Sequence, residues 1–495
     1  MKSLLLSVDL GTSSIKVAIY SMNLKLKKIV RRFYPIFHPS EEVFEQNPDG
    51  WWREFLEALK EIDIEYPLNN IEVIGLSGFN AIVGVDSYGQ PTGPAITYLD
   101  RRQICYIDSS LSHLSNEYIF RKAHNRLSAG GMWAPILSWI RDEKQYYWRN
   151  TAVFLSSSGF IAAKLTGEFA VDSSRASLSL LHDPTTKVLS WDKELCELFN
   201  IDAVKLPPIL NPWEKVGKVT PEAARLTGLP GGIPVIIGGM DSMCAALGSG
   251  ITSSNILFDI GGSAGGLAAI DNVPHSDIRF LTVRYVIPGF WSTIGPLSAA
   301  GIAWQWFRET IGIGLTEKRL ITLAKKIIPG SEGLVFIPYI TGSRSPHWKI
   351  KARASFQGIT KDHQIGHFAR SVLEGLGFAL KEIMQLLIEL GYSFDEVRAA
   401  GGGSRNDLLL QIKADILCLP YLTLTINEAS TFGAAILAAI GSGIVNDFSS
   451  ILNRNVEVLS KKYPSQTNYE MGVSPLMDLP QHIVFHLFRT SNTLY

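Results

Sequence analysis

The chain is poor in cysteine: Cys105, Cys196, Cys244 and Cys418 are the only four in 495 residues, widely spaced and without a Cys-x-x-Cys pair. That argues against a disulfide scaffold or a cysteine zinc site, and it fits a reducing cytoplasm in which the four are small core residues. Net charge is missing too. Lysine and arginine, 46 together, balance 46 aspartate and glutamate with no long run of either sign, so neither a nucleic-acid surface nor an acidic tail is expected. No long uncharged apolar run occurs either. The longest helical pattern, from His363 to Leu390, carries Arg370, Glu374, Lys381 and Glu382, as a core helix does and a membrane span rarely does. The N-terminal apolar run is short, broken by Asp9 and without a small-residue cleavage pattern, so no signal peptide or membrane association is expected. With no disordered linker in view, the length suggests two packed domains whose partner is a small molecule.

What is present is a strand-turn-strand pattern that occurs twice, as SLLLSVDLGTSSIKVAIYS and SNILFDIGGSAGGLAAI. In each copy a β-rich apolar run meets Asp, Gly and a small hydroxyl residue: Asp9, Gly11 and Ser13, then Asp259, Gly261 and Ser263. Glycine lets backbone approach a phosphate closely, and the exposed N–H groups of such a turn form an anion-binding concavity. A pair of ordinary hairpins is the alternative, made less attractive by the repetition. Between the copies, Asn47 followed by Pro48 reads as a helix start, and Trp51, Trp52, Phe55, Leu56 and Leu59 as its core stripe. IEVIGLSG reads as a buried strand. LPGGIPVIIGGMDS places Asp241 at a strand end, in a turn entering a helix, where α/β folds commonly hold chemistry; a helix cap is its other reading. After the second copy come a short LVFIP strand, the long helix ending before Gly391, and an Ala/Gly-rich closing helix.

In order, these segments resemble the FGGY carbohydrate kinases of the sugar kinase, Hsp70 and actin superfamily. DLGTSSIK is similar to the family's first phosphate loop, EQNPDGWW to its early acidic-Trp segment, and Tyr98 to Arg102 to its W-x-D-x-R strand end. GGMDS resembles the catalytic GGxD turn, EGLVFIPYITGSRSPHW and FQGITKDHQIGHFARSVLEGLGFAL the C-terminal signature, GGGSRND the adenine-side loop, and EASTFGAA the closing helix. The resemblance implies two ribonuclease-H-like domains of the actin-like ATPase type, each a mixed β-sheet with flanking helices, around a central cleft. Residues 1–245 would form the sugar-binding domain and 246–495 the nucleotide-binding domain. It also implies an ATP- and magnesium-dependent kinase acting on a sugar or polyol, compatible with a homodimer.

Site residues follow from the same resemblance. Asp241 would be the general base and Asp9 the magnesium-side carboxylate. Gly11, Thr12, Ser13, Ser14 and Lys16 would surround the β- and γ-phosphates, and Gly261, Gly262, Ser263, Gly301, Gln305, Gly402 and Asn406 would line the rest of the ATP site. Plain alternatives are turn and packing roles for the glycines and an exposed helical position for Gln305. Gly262 replaces the family's usual Thr, removing one hydroxyl from the phosphate loop; a charge-assisted bond of that kind contributes roughly 1.5–3 kcal/mol. On the acceptor side, Phe79, Asn80, Asp100, Arg102, Asp241 and Ser242 would meet the substrate. Xylulose kinases carry Gln-Met-His after the Ser-Gly at this strand end and glycerol kinases Arg-Glu, where this chain has Phe79-Asn80-Ala81. Neither polar set is present, so neither named substrate is carried over; a ketopentose such as xylulose is the first expectation, with gluconate, another ketose or a polyol left open. A catalytically silent binder of nucleotide or sugar, and an actin- or Hsp70-like switch, are the alternatives.

Overall fold

The computed structural model describes residues 3–262, 264–401 and 406–465. Ser263 and Gly402 lie outside the described residues. Internal contacts divide the chain into two compact units. The first gathers Met1–Thr252, Asp271–Thr293 and Glu428–Glu457, and the second Ser253–Ile270, Ile294–Asn427 and Val458–Tyr495.

The first unit is built on a six-stranded sheet in the order Lys215–Lys218, Pro234–Met240, Ile71–Gly78, Leu4–Leu10, Ser14–Ser21, Leu26–Phe33. Its middle strands are parallel and its flanks antiparallel. Leu4–Leu10 and Ile71–Gly78 are buried almost throughout, as near-continuous apolar runs covered on both faces should be. One cover is the Pro48–Asp63 helix, where the Asn47 side chain accepts from the Asp49 N–H at 3.0 Å and Pro48 occupies the first turn. Trp51, Phe55, Ala58, Leu59 and Ile62 form its buried stripe. The Ala429–Gly441 helix packs on the same sheet.

The strands of the second unit repeat that plan in the order Gly265–Asp271, Ile256–Asp259, Glu396–Ala399, Tyr421–Leu424, Val458–Lys462. Again a hairpin strand is followed by two parallel neighbours and an antiparallel edge. The duplication read in two short turns thus extends to whole sheets. The long helix runs Ile365–Glu389 and stops before Gly391, whose φ of +99° suits glycine. Among the described residues no helix is long and apolar enough to cross a membrane.

Two expectations need correction. Cys196 and Cys244 are buried, but Cys105 and Cys418 are exposed: Cys105 lies on the Arg102–Ser109 helix off the face that buries Gln103 and Tyr106, and Cys418 follows the end of the Asp407–Leu417 helix. Asp241 is not in a turn: the Pro234–Met240 strand runs straight into the Asp241–Gly248 helix, with Met240 as the N-cap residue.

Candidate active site

The turn after Asp9, expected to hold phosphate, is closed by the Gly11 N–H donating to the Ser14 carbonyl at 2.9 Å. Thr12 is half-buried, Ser13 exposed and Ser14 buried in the returning strand. The turn is braced from the core. The Trp51 indole N–H donates to Gln46 Oε1 at 2.8 Å, and Gln46 Nε2 donates to the Thr12 carbonyl at 2.6 Å. The Tyr34 hydroxyl donates to the Gly11 carbonyl and its N–H to that of Ser13. Trp51 therefore serves the core and the loop at once, through a glutamine that sequence reading passed over.

Asp9 stands opposite Lys16 in the hairpin. Its buried carboxylate accepts from Ser77 Oγ at 2.9 Å and Ser430 Oγ at 2.5 Å, and faces the Lys16 ammonium at 3.4 Å. Lys16 also pairs with Glu428 at 2.9 Å, and Glu428 with Arg31. Burial alone would lower the Lys16 pKa, but Asp9 and Glu428 hold it above its ordinary value. Glu428 and Ser430 come from the far end of the chain, and only the packing of the Ala429–Gly441 helix reveals them.

Asp9 and Asp241 end strands on either side of Ile71–Gly78, since Asp9 is level with Ser77 and Met240 with Gly78. Two strand spacings separate their backbones, roughly 10 Å. The Asp241 carboxylate accepts from the Ser242 N–H at 2.7 Å. Its pKa is pushed up to about 6, first by burial and then by the Asp9 charge, against the opposing pull of Arg175.

The residues expected on the acceptor side divide. Phe79 is 1% exposed and its ring meets Trp51 edge-on at 5.8 Å, so the ring is core and not a substrate face. Asn80 Nδ2 donates to the Gly131 carbonyl at 2.8 Å, while its buried Oδ1 has no hydrogen-bond partner among the described residues. Asp100 is 1% exposed and already bonded by the Arg102 guanidinium and the Phe44 N–H. Arg102 in turn pairs with Glu45 and lies over the Trp139 ring at 4.4 Å. The two brace each other, a demand that the W-x-D-x-R resemblance does not display. Ser242 is half-buried beside Asp241.

In the second unit, the Gly301 N–H donates to the Gly262 carbonyl at 3.1 Å, which joins the turn after Asp259 to the start of the Gly301–Thr310 helix. A Cβ on Gly261 would fall 1.8 Å from the Ala400 carbonyl oxygen, and Gly262 sits at φ +141°, so both glycines are required by the backbone. Gln305 is exposed and bonded to Glu309. Asn406 caps the Asp407–Leu417 helix through the Leu409 N–H.

Among the described residues no group of three or more His, Cys, Asp or Glu side chains could hold a metal alone. The donors present still suit magnesium, a hard ion that keeps much of its water and shares its shell with phosphate oxygens. Asp9 and Asp241 bring two carboxylates to the ends of the strands flanking Ile71–Gly78, and the Asp9 charge adds to burial in raising the Asp241 pKa.

Two family models match this chain: the N-terminal domain of the FGGY carbohydrate kinases over residues 4–248, and the C-terminal domain over residues 262–442. The xylulose kinase of Bacillus subtilis is 28% identical over 492 residues, covering 97% of this chain and 96% of that protein. The gluconokinase of the same organism is 26% identical over 467 residues, covering 91% and 90%. A crystal structure of ligand-bound xylulose kinase from Lactobacillus acidophilus superposes with a TM-score of 0.91 at 23% identity, covering 98% and 99%. The chain belongs to the FGGY family of carbohydrate kinases, has the family's two-domain, actin-like fold, and is an ATP-dependent sugar or polyol kinase.

Proposed function

We propose that the acceptor is a ketopentose such as xylulose and that Asp241 is the general base. The observation that carries the base is its place where a central strand meets a helix, two strand spacings from Asp9, with its pKa raised by burial and by that charge. A carboxylate titrating near 6 is ionised at neutral pH and still basic enough to take a hydroxyl proton as the O–P bond forms. Asp9 lies on the magnesium side, where the bound ion would neutralise charge on the β- and γ-phosphates. Gly11 to Ser14 and Lys16 receive phosphate oxygens, with Lys16 kept protonated by Asp9 and Glu428. Gly261, Gly262 and Gly301 shape the nucleotide side, and Asn80 with Ser242 faces the acceptor. Asp100 and Arg102 brace each other at that wall. Xylulose is supported by the full-length relatives that carry that name.

A coupled ADP-release screen with magnesium and ATP over D-xylulose, D-ribulose, glycerol, xylitol and D-gluconate tests the substrate. The highest kcat/KM is expected with a ketopentose. A sugar acid or polyol ranking first would overturn that assignment and leave the kinase class standing.

A further inference from the structure

At the strand ends that carry Asp241 and Asn80, ladder pairing stops and backbone groups need other partners. Ser174 and Arg175 supply them, organised by Asp172. Asp172, fully buried, accepts from the Ser174 hydroxyl and caps the Ser173–Ala176 helix through the Arg175 N–H at 2.9 Å. Ser174 Oγ accepts from the Met240 N–H at 3.0 Å, one residue before Asp241. Arg175, also fully buried, donates through Nη1 to the Phe79 carbonyl at 2.7 Å and through Nη2 to that of Gly78, one and two residues before Asn80. Its Nε stands 3.7 Å from Asp172 Oδ2.

The chain of contacts thus runs from the base strand through Ser174, Asp172 and Arg175 to the acceptor turn. Those two strands are already neighbours, with Met240 opposite Gly78. Burying a cation is costly unless paired, and two carbonyls could be satisfied more cheaply by neutral donors. Ser157 Oγ does donate to the Phe79 carbonyl, at 2.6 Å. What a neutral donor lacks is rigidity and charge: a planar guanidinium fixes two carbonyls at once, and this one stabilises the ionised Asp241.

We propose that Ser174 and Arg175 are positioning residues that hold Asp241 and the Asn80 turn in the register needed for proton transfer. The inference rests on Asp241 being the base. Misplacing a reacting group by about 1 Å costs on the order of a hundredfold in rate.

The test compares Ser174→Ala, Arg175→Met, Arg175→Lys and Asp241→Asn in the full chain, using the best acceptor among D-xylulose, D-ribulose, glycerol and D-gluconate, well below each unfolding midpoint. Ser174→Ala and Arg175→Met should each lower kcat about 10- to 100-fold, with the KM for ATP within about twofold of the parent. Arg175→Lys should recover part of the loss, because it keeps the charge and one carbonyl contact. Should Arg175→Met not fold, Ser174→Ala decides. Parental kcat in Ser174→Ala, or a loss matched by its unfolded fraction, overturns the inference if Asp241→Asn is inactive. An active Asp241→Asn would instead overturn the base and, with it, the reason to position it.

Discussion

Asp241 carries opposite consequences for rate and for stability. A base titrating near 6 must be ionised to act, so kcat/KM should fall as pH drops through about 6. Between the ordinary value of 3.8 and the folded value of about 6, the folded protein holds a proton that the unfolded chain has released. The group therefore stabilises the fold less as pH rises, and its ionised form is most unfavourable above 6. Asp241→Asn should lose about 10²- to 10⁴-fold in turnover yet unfold at pH 8 at the same or a higher temperature. Calorimetry beside a rate assay checks both, and a clearly lower midpoint would show that the carboxylate is structural. Asp9, Lys16 and Asp241 were named from the sequence through the family resemblance, Asp9 and Lys16 on the two strands of one hairpin and Asp241 where a strand meets a helix. Gln46, Ser174, Arg175 and Glu428 were not, since their partners are distant in the chain. Phe79 misled because the strand leading to it is buried on both faces, so alternation gave no sign that its ring turns inward to Trp51.

The helix that begins at Asp241 meets the Ala429–Gly441 helix with almost no space between backbones. A Cβ on Gly433 would fall 1.9 Å from the Cys244 carbonyl oxygen, and one on Gly248 2.0 Å from that of Ala429. Gly433→Ala should therefore push the helices apart, costing about 1–3 kcal/mol and shifting the base. Gly50 in the Pro48–Asp63 helix is a control, because its nearest Cβ neighbour would be 3.9 Å away. Gly50→Ala should be neutral or stabilising, by up to about 1 kcal/mol. Equal unfolding midpoints for the two variants would contradict the close approach. Helix existence and type were readable from caps and spacing, as at Asn47-Pro48. Which helix touches which was not, because an Ala/Gly-rich run announces tight packing without naming its partner.

At the scale of the molecule, the chain passes between the two units five times, after Thr252, Ile270, Thr293, Asn427 and Glu457. Repetition of the Asp-Gly turns disclosed two related sheets, but nothing local distinguishes Glu428–Glu457 as a return to the first unit. That return imposes an order on synthesis. Leu4–Leu10 and Ile71–Gly78 leave the ribosome early, whereas the helix that covers Gly75, with the Ala434 carbonyl oxygen 2.4 Å from where its Cβ would stand, is translated near the end. A fragment spanning 1–252 should expose that apolar sheet and aggregate, and supplying 428–457 in trans should recover part of it in soluble form; a well-folded fragment alone would refute this. The nascent chain must therefore shelter an unfinished core through most of its translation, so chaperone supply and elongation rate should limit the yield of active kinase more than the stability of the finished protein does.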